Sequence, residues 1–105
     1  MTATRIKKQI NSIELTNLLD TYKSRVKVNS HAYFRISQMQ RKIYKEETLI
    51  TMLTQEKPVL VGIQENNNYA IFFSKKNGYM RLIFKVTKEN IEIITFYITD
   101  HLPKI

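Results

Sequence analysis

The sequence predicts an α+β domain in which two or three N-terminal helices pack on a four-stranded antiparallel β-meander. Three observations carry this expectation. Apolar residues recur at helical spacing up to about residue 57. Alternating β-branched and aromatic runs follow Pro58. Asn77-Gly78 lies between two of those runs, and it is the strongest short hairpin signal because both central positions of a type I′ turn need positive φ. A chain of 105 residues is one domain's worth of polypeptide, so 1–105 is expected to be a single domain, with residues 1–11 a tail or arm.

Asn11 followed by Glu14 fits a helix N-cap with a capping-box acid. Leu15, Leu18, Leu19 and Tyr22 then recur at i, i+3, i+4 and i+7, which predicts a helix over about 12–25. Val26 and Val28 fall in a connector. Ser30 is placed to cap a second helix whose buried stripe would be Ala32, Ile36, Met39 and Ile43. A third helix over about 45–56 would bury Leu49, Met52 or Leu53, and Pro58 stops it. Glu46 and Glu47 suit its first turn, where the helix dipole favours negative charge.

The second half reads as strands over 59–64, 69–74, 79–86 and 91–99. Tight turns at 65–68, 77–78 and 87–90 would set their register. Lys85 then faces Glu92, a favourable cross-strand pair. Strict alternation puts Tyr69, Ile71, Phe73, Leu82, Phe84, Val86, Ile91, Ile93, Thr95 and Tyr97 on one face. Phe72, Arg81, Ile83, Lys85, Glu92, Ile94, Phe96 and Ile98 take the other. The first face is the more apolar, so the helices should cover it.

Composition excludes several classes. The chain has no Cys, which removes a disulfide scaffold and a thiolate zinc site. Neither His has acidic neighbours at metal-ligand spacing, so no metal and no cofactor is expected. There is no Gly-rich phosphate loop, since Gly62 and Gly78 are the only glycines, and no G-x-S-x-G elbow. No apolar run is long enough to span a bilayer, and the basic N-terminus lacks an apolar stretch behind it. A cytoplasmic protein without membrane contact is therefore expected.

The net charge is +8, with 17 Lys+Arg against 9 Asp+Glu. The basic residues cluster. Between Lys23 and Lys45 lie Lys23, Arg25, Lys27, Arg35, Arg41, Lys42 and Lys45, with no acidic residue and with Tyr22, Tyr33, Phe34 and Tyr44 interleaved. Cations attract polyphosphate, and aromatic rings offer stacking surfaces for unpaired bases, so RNA is the expected partner. On a helical wheel His31, Arg35, Gln38 and Lys42 fall about 100° from the apolar stripe. His31 and Arg35 are thus one turn apart on one face. An imidazole that can move a proton beside a permanent guanidinium suits phosphodiester chemistry.

The run Ser30-His31-Ala32-Tyr33-Phe34-Arg35, followed by Arg41-Lys42-Ile43, resembles the H-A-x-x-R…R-G-I opening of a family of small prokaryotic and viral domains. That family is grouped with toxin ribonucleases of the RelE, BrnT and colicin D kind, the barnase–EndoU–colicin–RelE superfamily. Its last strand, of the type V-x-T-x-Y, is similar to Ile93-Ile94-Thr95-Phe96-Tyr97. Arg41 follows Arg35 by six residues where the family spacing is four, and Lys42 stands at the family's Gly. The resemblance implies a RelE/colicin-D-like fold and a metal-independent endoribonuclease. It implies that a helical His and Arg meet polar groups of the terminal strand, which carries over to His31, Arg35, Thr95 and Tyr97 as catalytic residues. Arg41, Lys42, Lys45, Lys23, Arg25 and Lys27 would hold the RNA backbone. The competing expectation is a non-catalytic module that binds nucleic acid, or an acidic protein such as an antitoxin. A homodimer fits either reading.

Overall fold

The computed structural model describes residues 4–22, 25–33 and 38–104. In chain order the elements are β1 (Ile6–Gln9), α1 (Ser12–Thr21), β2 (Val26–Val28), a 3-10 turn (Ser30–Tyr33), α2 (Gln38–Ile43), α3 (Glu46–Gln55), β3 (Leu60–Gln64), β4 (Tyr69–Lys75), β5 (Gly78–Val86) and β6 (Ile91–Thr99). The class is α+β, as expected. The sheet corrects the expected four strands to six, in the order β1-β3-β4-β5-β6-β2. It is also mixed, because β2 runs parallel to β6 while every other neighbouring pair is antiparallel.

Both extra strands are short edges. β1 lies in the segment expected to be a tail. Ile6 turns inward, while Lys7, Lys8 and Gln9 stay exposed and guard the edge against further pairing. Ile6 comes so close to β3 that its Cγ2 occupies the place of a Cβ at Gly62, so only glycine fits there. β2 holds Val26 and Val28, expected in a connector. Its register on Ile91–Ile93 is fixed at both ends, by the Ile91 amide donating to the Arg25 carbonyl and the Asn29 amide donating to that of Ile93.

α1 starts as the sequence indicates, with the Asn11 side chain accepting from the Glu14 amide at 2.8 Å. It ends at Thr21, short of the expected residue 25. The Arg25 guanidinium donates to the Thr21 carbonyl at 3.0 Å and so satisfies an orphan of the last turn. Leu15 is buried, and Leu18, Leu19 and Tyr22 pack beside it. α3 buries Leu49, Met52 and Leu53 together.

The expected second helix with one apolar stripe is not what forms. Residues 30–33 make the 3-10 turn and 38–43 make α2, a helix of 6 residues. Ala32 is buried, but Met39 is 72% and Ile43 57% exposed. Ile36 lies outside the described residues. The core positions that the stripe would have filled belong to aromatic side chains. Tyr33 and Tyr44 meet the Phe96 ring edge-on, at centroid distances of 5.6 and 5.8 Å. The Arg41 guanidinium donates to the Tyr33 carbonyl at 2.7 and 3.0 Å, tying α2 back to the turn.

The helices cover one sheet face. The main core there joins Leu15, Ala32, Leu49 and Leu53 to Ile71, Phe73, Met80, Leu82, Phe84, Ile91, Ile93 and Phe96. A smaller cluster of Ile6, Ala70, Phe72 and Ile83 lies on the far face, with Leu60, Ile94, Tyr97 and Leu102 against it. No helix among the described residues is long and apolar enough to cross a membrane.

The predicted Lys85–Glu92 pair is present at 3.4 Å. Glu92 is only 9% exposed. The Asn29 side-chain nitrogen donates to it at 2.7 Å, and this bond, ahead of Lys85 and Lys27, holds its carboxyl below the usual range against the opposing effect of burial. A depressed folded value stabilises the fold above the free value of about 4.3 and is lost as pH falls through the folded one. Glu92→Gln is therefore expected to destabilise at pH 7, with the gap to wild type narrowing below about pH 4. Urea unfolding at both pH values checks this; a gap independent of pH would contradict it.

Candidate nucleic-acid interface

The turn that carries His31 is fixed to the sheet by Asn29. The Asn29 side-chain oxygen accepts from the His31 amide at 2.9 Å, while its nitrogen reaches Glu92. Ala32 and Tyr33 belong to the core under the helices, so this turn packs on the helix-covered face. The His31 residue itself is exposed. Arg35 and Lys23 lie outside the described residues.

Two of the expected RNA-binding arginines have structural partners. Arg41 is bonded to the Tyr33 carbonyl, and Arg25 caps α1 with its guanidinium 5.2 Å from the centroid of the Tyr22 ring. Lys27, Lys42 and Lys45 are exposed.

The 3-10 turn of His31 lies against β6, but Thr95 and Tyr97 do not face it. The pairing of β5 with β6 runs Lys85↔Glu92, Phe84↔Ile93, then Ile83↔Thr95 and Arg81↔Tyr97. Ile94 is the extra residue of a β-bulge, and an extra residue inverts the alternation beyond it. Phe96 therefore enters the main core, where strict alternation had placed Tyr97, and Thr95 and Tyr97 turn to the far face. The physical gain is plain: the fully apolar ring is buried and the phenol keeps a polar outlet. The expected facing of Thr95 and Tyr97 is corrected accordingly: they point to the sheet face opposite the one on which the His31 turn packs.

Tyr97 instead lines a far-face pocket of about 380 Å³. Around it stand Arg81, Thr99, His101, Arg5 and Lys104, with Ile6 and Phe72 as apolar wall. Among the described residues no carboxylate lines it. Arg81 is the organising group. It is 5% exposed, and its guanidinium carbon lies 5.2 Å from the centroid of the Phe72 ring. One terminal nitrogen donates at 2.6 Å to both the Gln64 side-chain oxygen and the Thr4 carbonyl. Its Nε is buried without a partner. Burial pulls its pKa down from the ordinary arginine value, partly opposed by Tyr97. Arg5 faces Glu65 at 3.8 Å in a solvated pair that holds it weakly.

Such a pocket can take an anion. A fixed guanidinium matches the geometry of phosphate oxygens, flanking cations add field, and hydroxyls of Tyr97 and Thr99 add hydrogen bonds. A cleft of about 420 Å³ between α1, the end of α3 and β3 offers nothing comparable, since its charges are Glu56 and Lys57 and Glu56 is bonded to Lys75 at 3.1 Å. Among the described residues no group of three or more His, Asp or Glu is placed to hold a metal ion.

Arg81 and His101 are the members that the sequence reading did not single out. One signal was available for Arg81: a lone cation in the middle of the apolar run Tyr79-Met80-Arg81-Leu82-Ile83-Phe84 must be either exposed or partnered. Compared with protein-family models, curated proteins and solved structures, the chain matches none.

Proposed function

We propose that this chain is a small toxin-like endoribonuclease that works from the Arg81–Tyr97 pocket and cleaves RNA by attack of a 2′-hydroxyl on the adjacent phosphate. One observation carries the reading: a buried arginine and a tyrosine from neighbouring strands share a pocket whose charged lining, among the described residues, is basic. Arg81 would neutralise charge gathering on the phosphoryl oxygens, and Tyr97 would orient or protonate an oxygen of the reacting group. Two further points support it. The terminal strand that resembles the toxin ribonucleases is the one that delivers Tyr97. The antiparallel run β3-β4-β5-β6 is of the kind that resemblance implies, extended here by β1 and β2. The reaction needs no metal, in keeping with the donor groups at hand.

A second reading rests on Lys27, Lys42 and Lys45, which are exposed away from the pocket. They would let the protein grip nucleic acid, or an acidic protein partner, without turnover.

Incubation of the purified protein with labelled RNA in EDTA separates the two. The expected products carry 2′,3′-cyclic phosphate and 5′-hydroxyl ends, and Tyr97→Phe slows their appearance by about 100-fold or more without loss of fold. Salt-dependent binding with no cleavage would overturn the enzyme reading in favour of the second.

A further inference from the structure

We propose that His101, oriented by Asp100, is the group that takes the 2′-hydroxyl proton in this pocket; the inference rests on the reading of the pocket as an RNA-cleaving site. The backbone fixes where His101 can be. β6 ends at Thr99, and the chain leaves the sheet against Gly78, which has a φ of +142. A Cβ at Gly78 would lie 2.5 Å from the Thr99 carbonyl oxygen and 3.4 Å from the Asp100 Cα, so glycine is what admits the departing tail. Three residues later Leu102 packs onto the far-face cluster of Ile6, Ala70, Phe72 and Ile83. Asp100 and His101 are thus pinned from both sides, on a segment that would otherwise fray.

The side chains then fall into complementary roles. His101 lines the same pocket as Arg81, Tyr97 and Thr99. Its Nδ1 lies 2.5 Å from an Asp100 carboxylate oxygen. A carboxylate on Nδ1 keeps a proton there and leaves Nε2 as the acceptor, the arrangement of an oriented general base. The other charged groups lining the pocket among the described residues are Arg81, Arg5 and Lys104, all cationic. Asp100 contacts the imidazole and is not itself a lining residue.

The step balances. His101 Nε2 removes the 2′-hydroxyl proton, and the 2′-oxygen bonds to phosphorus. The bond from phosphorus to the 5′-oxygen breaks, and that oxygen leaves with the Tyr97 phenolic proton. The imidazolium then returns its proton to the tyrosinate, through water. Charge on the phosphoryl oxygens is met by Arg81.

Cleavage of an RNA oligonucleotide by wild type, His101→Gln, Asp100→Asn and His31→Gln, followed across pH, tests the assignment. His101→Gln should lose at least about 100-fold in rate and the ascending limb of the pH profile, with an unchanged Tm because the side chain is 81% exposed. Asp100→Asn should keep the limb but slow cleavage, by less than His101→Gln does, because the imidazole is still present but no longer oriented. Full activity in His101→Gln, or loss in His31→Gln while His101→Gln cleaves, would overturn the assignment and leave the ribonuclease reading standing. Absence of cleavage by wild type would overturn both.

Discussion

Arg81→Met is expected to lower RNA cleavage by about 100- to 1000-fold, the usual consequence of removing one fixed donor from a developing oxyanion. The loss arises because the guanidinium is held before substrate arrives. Phe72, Gln64 and the Thr4 carbonyl fix it in place, so no reorganisation is needed during the reaction. The same change should cost about 1–3 kcal/mol of stability, since the Gln64 oxygen and the Thr4 carbonyl are left without a donor. Arg81→Lys separates the two effects. It keeps the charge but cannot span both acceptors and the substrate with one planar fork. Its stability should recover in part while the cleavage rate stays low. A fully active Arg81→Lys would show that charge alone suffices and that the fixed geometry is not used.

Phe96→Ala is expected to destabilise by about 3–5 kcal/mol, the range for deleting a buried aromatic side chain. Phe96 is 1% exposed and is the ring on which Tyr33 and Tyr44 converge, so its loss also unseats the 3-10 turn and α2. For a domain this size each kcal/mol is worth roughly 4–8 °C in Tm. Tyr97→Phe, one residue on, should change Tm little. This contrast reads out the bulge directly: under strict alternation the two residues would exchange roles. A cost below about 1 kcal/mol for Phe96→Ala would contradict the core position, because truncating a buried aromatic ring leaves a cavity.

Local chemistry made much of the fold legible. The Asn11 cap, the α3 core residues and the Lys85–Glu92 pair act over a few residues or across one tight hairpin, and each is present. The hairpin at residues 75–78 also forms, but not with the expected type I′ turn centred on Asn77-Gly78: Lys75 pairs with Gly78, the loop is Lys76-Asn77, and of Asn77 and Gly78 only Gly78 has a positive φ. What stayed hidden depends on distant partners. β1 and β2 have 4 and 3 residues, too few to show a period, and form because β3 and β6 offer them edges. The apolar spacing of Met39 and Ile43 suggests a buried stripe, yet both are exposed and Tyr33 and Tyr44 pack on the core. The bulge at Ile94 had the widest effect on the candidate site. Nothing in Ile93-Ile94-Thr95-Phe96-Tyr97 marks which residue is extra, and one residue decides which face Tyr97 serves. That Tyr97 shares a pocket with Arg81 and His101 depends on this bulge and on the path of the chain after β6, and no local pattern marks either.

Amide chemical shifts of the protein with a 2′-O-methyl RNA oligonucleotide show whether RNA engages the far face. Such a strand binds but cannot be cut, because the attacking hydroxyl is blocked. Saturable shifts are expected at Thr4, Arg5, Arg81, Tyr97, Thr99 and His101, weakened in Arg81→Met. Shifts confined to residues 25–45, with the Arg81–Tyr97 pocket unperturbed, would contradict far-face engagement and return the interface to the His31 side of the sheet.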